Sequence, residues 1–266
     1  MARHRIAVIP GDNVGPEVVR EALKVLSTIE SLGYASFEFT QYLWGAGYYL
    51  KTGLAMPVDG LETLKGYDAV LFGAHGDPAR VPEAIPSQGM THKIRTGFDL
   101  YANVRPIRLL PGVESPVRNR SNIDFVVVRE NTEGEYSGVG GRLHIGSDNE
   151  VAIQVSVITR KGAERIIRFA FELARKRNGK KRVTAATKSN ALNYSMPFWD
   201  DVFDRVAKEY PDVEATKFHI DAFSMQLIKQ PEWFDVIVAT SMFGDILSDE
   251  AAMIAGGVGM APGANL

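Results

Sequence analysis

Short runs rich in β-branched residues recur along this chain, at Ile6 to Ile9, Ala69 to Ala74, Phe125 to Arg129, Arg182 to Thr187 and Asp235 to Thr240. Each ends in a polar or glycine-bearing turn. Between them lie stretches with helical apolar spacing, and strands that alternate with helices in this way define an α/β class. The first run shows the pattern. Ile6 to Ile9 reads as a buried strand and Pro10-Gly11-Asp12-Asn13-Val14-Gly15-Pro16 as the turn after it, with Pro16 suited to a first helical position. Val18, Val19, Ala22, Val25, Leu26 and Ile29 then recur at helical spacing until Gly33. The turn has neither the dinucleotide fingerprint nor the Walker spacing, so it reads as structural. Phe37 to Gln41 reads as another strand, and Ala69 to Ala74 leads into a glycine-rich turn that contains His75, to which no role is assigned.

Composition narrows the function classes. With 45% hydrophobic residues in 266 the chain can fill one large or two ordinary cores, and a net charge of -2 gives no footprint for nucleic acid or a membrane surface. There are no cysteines, which excludes thiol nucleophiles and thiolate metal sites and points to hard, oxygen-bound metal. No 18 apolar residues run together and the N-terminal apolar run is too short for a signal peptide, so a cytoplasmic protein is expected.

The chemistry gathers at Ser241 to Gly257, SMFGDILSDEAAMIAGG, where Asp245 and Asp249 stand four residues apart at the opening of a helix and share a face. The preceding strand, Asp235 to Thr240, puts them at a strand's carboxyl end, where open α/β sheets build sites, and oxygen ligands there suit Mg²⁺ or Mn²⁺. Taken alone, the same pair serves as a helix cap and a dipole partner. Asp221, where the strand before that one ends in FHIDAFSMQL, is a third candidate metal carboxylate. Arg95, Arg105 and Arg129 come from separate segments, and guanidinium forks suit a substrate with two or three carboxyl groups. Tyr136 follows a polar turn and is a candidate general acid. Lys188 ends the strand Arg182 to Thr187, where desolvation or neighbouring cations would let it act as a base. Thr159 is expected to cap a long amphipathic helix ending at Asn178-Gly179. Leu143 to Ile158 reads either as a small second sheet or as an arm to another subunit.

Taken together, PGDNVGPEV (10–18), FDLYANVRP (98–106), RENTEGEYS (129–137), TKSNAL (187–192) and FGDILSDEAA (243–252) closely resemble the β-decarboxylating dehydrogenase family, which includes isopropylmalate and isocitrate dehydrogenases. GDPARVPE (76–83) and NTEGEYSGVGGR look most like its tartrate/D-malate branch. The resemblance implies an isopropylmalate-dehydrogenase-like two-domain fold with a central mixed sheet. Residues 1–103 and 254–266 would form the first, cofactor-side domain, and 104–253 the second, with the dimerisation arm and the substrate and metal residues. It implies NAD-dependent oxidative decarboxylation of a 2-hydroxy dicarboxylic acid such as D-malate or tartrate. Asp245, Asp249 and the other subunit's Asp221 would bind Mg²⁺ or Mn²⁺; Lys188 would be the base and Tyr136 the acid. Arg95, Arg105 and Arg129 would hold the carboxylates, Asn190 would contact the nicotinamide end of NAD, and the shared site implies a homodimer.

Departures from the family pattern are equally specific. The glycine-rich HGSAPDIAG-like segment that holds the adenosine half of the cofactor has no counterpart here, so an incomplete first domain with uncovered apolar surface beside Ile6 to Ile9 is expected. Asn13 replaces a glycine, Ser241 replaces an asparagine, and the polar stretch Pro86 to Lys93 replaces the hydrophobic segment by which members read substrate. These departures support an alternative: a non-catalytic homologue that binds a di- or tricarboxylate, or a partial subunit that pairs with a longer dehydrogenase chain.

Overall fold

The computed structural model describes residues 3–266, which fall into two compact units divided between Phe98 and Asp99. In the first, β1 (Arg3–Ile9) leads into α1 (Gly15–Ser31), then β2 (Ser36–Gln41), α2 (Ala46–Thr52), α3 (Gly60–Leu64) and β3 (Ala69–Phe72). The strands pair in parallel in the order β2-β1-β3, and Ile6, Val8 and Val19 form the centre of their apolar cluster. Of the apolar positions on α1 only Val19 is buried, while Val18 and Val25 are exposed. The polar stretch after Pro82 is helical: α4 (Ala84–Pro86), a π-helical segment Ser87–His92 and α5 (Lys93–Gly97) run together.

The second unit is built on a mixed sheet of β4 (Ala102–Arg108), β5 (Asp124–Glu130), β8 (Arg182–Thr187), β9 (Glu214–His219), β10 (Val236–Ala239) and β11 (Ala264–Asn265), in the order β11-β4-β5-β10-β8-β9. β11 and β4 pair antiparallel, as do β4 and β5, and the remaining pairs are parallel. All four residues of β10 and all but the first of β5 and β8 are fully or nearly buried, as strands covered on both faces require. One cover is α6 (Arg160–Arg177) with α7 (Ser195–Ala207); the other is α8 (Ile220–Lys229) with α9 (Ser241–Ile254). Trp199, Phe125, Phe171, Phe203, Phe223 and Phe234 fill the space between these layers.

Thr159 caps α6 as expected, its Oγ1 accepting from the Gly162 amide at 3.0 Å, and Asn178 closes the helix at φ 49°. The region 143–158 is in fact a hairpin of β6 (Gly140–Leu143) and β7 (Val151–Gln154), every residue of which is exposed. The pairing starts three residues earlier than the apolar alternation suggested, because Gly140 and Gly141 take part in it. Residues 254–266 group with the second unit, since β11 pairs with β4, so the compact units divide differently from the expected 1–103 plus 254–266 against 104–253.

Candidate active site

At the carboxyl ends of β5 and β10 the second unit gathers a cluster of five expected residues. Arg129, the last residue but one of β5, is buried, and its Nη1 donates to Asp245 Oδ1 at 2.5 Å. Gly244 makes this approach possible, because a Cβ there would overlap the Arg129 side chain. Burial lowers the Arg129 pKa, and the Asp245 carboxylate opposes that shift. Arg105, on β4, donates through Nη1 to Asp249 Oδ1 at 2.8 Å and to Ser248 Oγ at 2.6 Å, and through Nη2 to Asp245 Oδ1 at 3.3 Å. Tyr136, on the short 3-10 turn Glu135–Ser137, donates to Asp245 Oδ2 at 3.2 Å, and its ring lies under the Arg129 guanidinium at 5.3 Å. Burial and then the Asp245 charge push the Tyr136 phenol above its usual value, so it stays protonated at neutral pH. Asp245 is the fifth residue of α9, not its cap; Thr240 occupies the cap position.

Two further interactions fix the turn that carries Tyr136. Glu130 is buried and accepts from the Thr132 amide and hydroxyl and from the Glu133 amide, and burial raises its pKa. Glu133 reaches the start of α6, where the Thr159 amide donates to it at 2.8 Å. Ser241 is buried directly against Gly134, whose φ of +83° and lack of a Cβ admit it.

Lys188 and Asp221 form a second cluster. Lys188 follows β8, Asp221 is the second residue of α8, and Nζ donates to Asp221 Oδ1 at 2.6 Å. That hydrogen bond is the main cause of a lowered Asp221 pKa. The partner of Lys188 is thus a carboxylate, where sequence reasoning looked for desolvation or cations. Asn190 lies in the following turn with its side chain exposed. Among the described residues no three histidine or carboxylate side chains converge as a metal site, so Asp221 does not complete the Asp245–Asp249 pair within one chain.

Arg95 lies on α5 of the first unit; the burial of His75 and His92 lowers their pKa values, and the Arg95 charge adds to that shift. His75 Nε2 is 2.8 Å from Thr91 Oγ1 in the π-helical segment. The glycine turn after β1 is a structural clamp. Asp12 accepts from the amides of Ala46, Gly47 and Gly76, and these bonds outweigh burial to lower its pKa. A Cβ at Gly11 (φ +77°) would overlap the Ala74 carbonyl. Asn13 fits because asparagine tolerates its φ of 51°, and its amide donates to Gly76 O at 2.8 Å.

Sequence reasoning missed Ser248, Asn103 and Asn265, all bonded into the arginine cluster. Ser248 was available in the helical spacing, since it shares a face with Asp245 and Asp249. Asn103 and Asn265 had no local signal.

The mixed sheet of an α/β fold thus presents paired arginines, a tyrosine and two carboxylates at its strand ends. The isocitrate/isopropylmalate dehydrogenase model matches residues 5–266, and the chain belongs to that family. It is 49% identical over 267 residues to a probable tartrate dehydrogenase/decarboxylase of Bacillus subtilis, spanning all of this chain and 75% of that protein. It is 48% identical to the D-malate dehydrogenase (decarboxylating) of Escherichia coli, spanning all of this chain and 74% of that one. Isocitrate dehydrogenase from Methylococcus capsulatus superposes with a TM-score of 0.88 at 36% identity, over 99% of this chain and 74% of its own. Among the described residues no helix is long and apolar enough to cross a membrane.

Proposed function

We propose that two copies of this chain form an NAD-dependent decarboxylating dehydrogenase for a 2-hydroxy dicarboxylic acid, D-malate, tartrate or a close relative. The observation that carries the reading is the division of the site residues within one chain. Arg105, Arg129, Tyr136, Asp245 and Asp249 stand in one cluster, Lys188 and Asp221 in another, and the metal-type carboxylates do not meet. Half of a site at each of two places calls for a second copy, and the exposed β6–β7 hairpin, with Leu143, Val151 and Ile153 open to solvent, is suited to reach one. The two-domain division at residues 103 and 254 remains part of this proposal.

The donor set fits a hard divalent ion: two carboxylates already neighbours on α9, with only oxygen donors, joined by Asp221 of the second copy. When bound, Mg²⁺ or Mn²⁺ supplies polarisation of the substrate hydroxyl and of the enolate oxygen, and NAD supplies the hydride acceptor. The chain's residues do the rest. Arg105 and Arg129 hold the substrate carboxylates. Lys188 takes the hydroxyl proton at Nζ, and Tyr136 returns a proton to the enolate carbon after CO₂ leaves. Asn190 meets the nicotinamide end of the cofactor.

The test is NAD⁺ reduction followed at the nicotinamide absorbance with D-malate and Mn²⁺. Turnover that Lys188→Ala lowers by about 10²- to 10⁴-fold is the expected result. Metal-dependent D-malate binding with no NAD⁺ binding would instead establish the second reading, a homologue that keeps the substrate half alone.

A further inference from the structure

We propose that Asn103, held by Asn265, is a positioning residue that sets the aim of Arg105 toward the substrate carboxylate; the proposal rests on the reading of Arg105 as a carboxylate anchor. The Nε of Arg105 donates to Asn103 Oδ1 at 2.8 Å, and Asn103 Nδ2 donates to Asn265 Oδ1 at 2.9 Å. Asn131 donates to the same Asn265 oxygen at 2.9 Å and to Leu100 O at 2.8 Å. Asn103 and Asn131 are buried.

Polarity orders this chain of amides. A guanidinium has donors only, so Asn103 must turn its oxygen to Arg105. Its NH₂ group then faces the other way and needs an acceptor, which Asn265 supplies. The strand register builds the row: Asn265 on β11 lies opposite Asn103 on β4, Asn103 lies opposite Arg129 on β5, and Arg105 is two residues along β4, on the same face as Asn103. Asn103 therefore stands beside both arginines of the cluster. With Nε committed to Asn103, Arg105 meets its other partners through Nη1 and Nη2, and a substrate carboxylate is received on that edge. Without the Asn103 oxygen the Nε hydrogen has no partner on β4, and the guanidinium is free to rotate about its stem.

The experiment measures Mn²⁺-dependent D-malate affinity by calorimetry, with KM and kcat, for the full chain carrying Asn103→Leu, Asn103→Asp and Arg105→Lys, singly and with Asn103→Leu and Arg105→Lys combined. Asn103→Leu, close in size, is expected to weaken D-malate binding about 10- to 100-fold, the worth of a hydrogen bond to a charged group, with a smaller change in kcat. Asn103→Asp keeps the acceptor for Nε and restores most of the affinity. In the Arg105→Lys background Asn103→Leu has no further effect. Should Asn103→Leu not fold, Asn265→Ala, at an exposed position, is expected to give a smaller loss of the same kind. Unchanged affinity in folded Asn103→Leu or Asn265→Ala, a loss in Asn103→Asp as large as in Asn103→Leu, or an equal loss from Asn103→Leu in the Arg105→Lys background, overturns the proposal while leaving Arg105 as the anchor. Unchanged affinity in Arg105→Lys alone overturns the anchor reading and the proposal with it.

Discussion

In the second unit helices cover both faces of the sheet, and β5, β8 and β10 are buried almost end to end around a cluster of large aromatic side chains. In the first unit the apolar cluster under α1 centres on Ile6, Val8 and Val19, and an open groove of about 590 Å³ runs past Pro10, Pro16, Val19, Leu23 and Gln41. Val18 and Val25 on α1 and Phe39 on β2 face solvent. The two units are therefore held by different means. Apolar burial between layers holds the second, while in the first a smaller apolar cluster is joined by hydrogen bonds that tie two further segments, at Ala46–Gly47 and at Gly76, to Asp12. Both clusters of candidate catalytic residues lie on the well-packed unit, where their aim is set by buried strands, and only Arg95 lies on the other.

Substitutions that act on one unit at a time are expected to separate their stabilities. The largest effect on stability is expected from Asp245→Ala, which leaves Arg129 buried without its carboxylate. The second unit should lose about 3–5 kcal/mol, read by hydrogen exchange, with the first unit unchanged. Asp12→Ala should cost about 1–3 kcal/mol, because three backbone amides lose their acceptor, and the faster exchange should be confined to residues before Phe98. Equal acceleration in both units would show that they do not unfold separately. The smallest effect is on pH dependence. The folded pKa of Asp12 lies below the ordinary aspartate value near 3.9, so its contribution is present above that pH and is lost as the pH falls through the folded pKa. Exchange protection of the first unit in the parent chain should drop on acidification, and in Asp12→Ala that drop should be shallower.

Much of the second unit was legible because its strands are buried on both faces and read as unbroken apolar runs, and because Thr159 and Asn178 mark the ends of α6 chemically. β4 was harder: ANVRPIR alternates polar and apolar residues and contains a proline, yet it pairs along its whole length with β5. The polar stretch Pro86 to Lys93, to which the sequence reading assigned no secondary structure, lies within helical segments, one of them a π-helical run that no simple periodicity signals. At the site, the charged residues were found because arginine, aspartate and lysine announce their chemistry. Asn103 and Asn265, 162 positions apart, meet only through the pairing of β11 with β4, which local pattern does not encode.

In the proposed dimer each site is built from Arg105, Arg129, Tyr136, Asp245 and Asp249 of one copy and Lys188 and Asp221 of another. Mixing the inactive Lys188→Ala and Asp249→Ala variants under conditions that exchange subunits tests it most directly. The account predicts recovery of up to about a quarter of parental turnover, since half the dimers are mixed and each holds one intact site, whereas Lys188→Ala mixed with Asp221→Ala recovers none. No recovery from the first mixture, with mixed dimers formed and the parent active, would contradict a shared site.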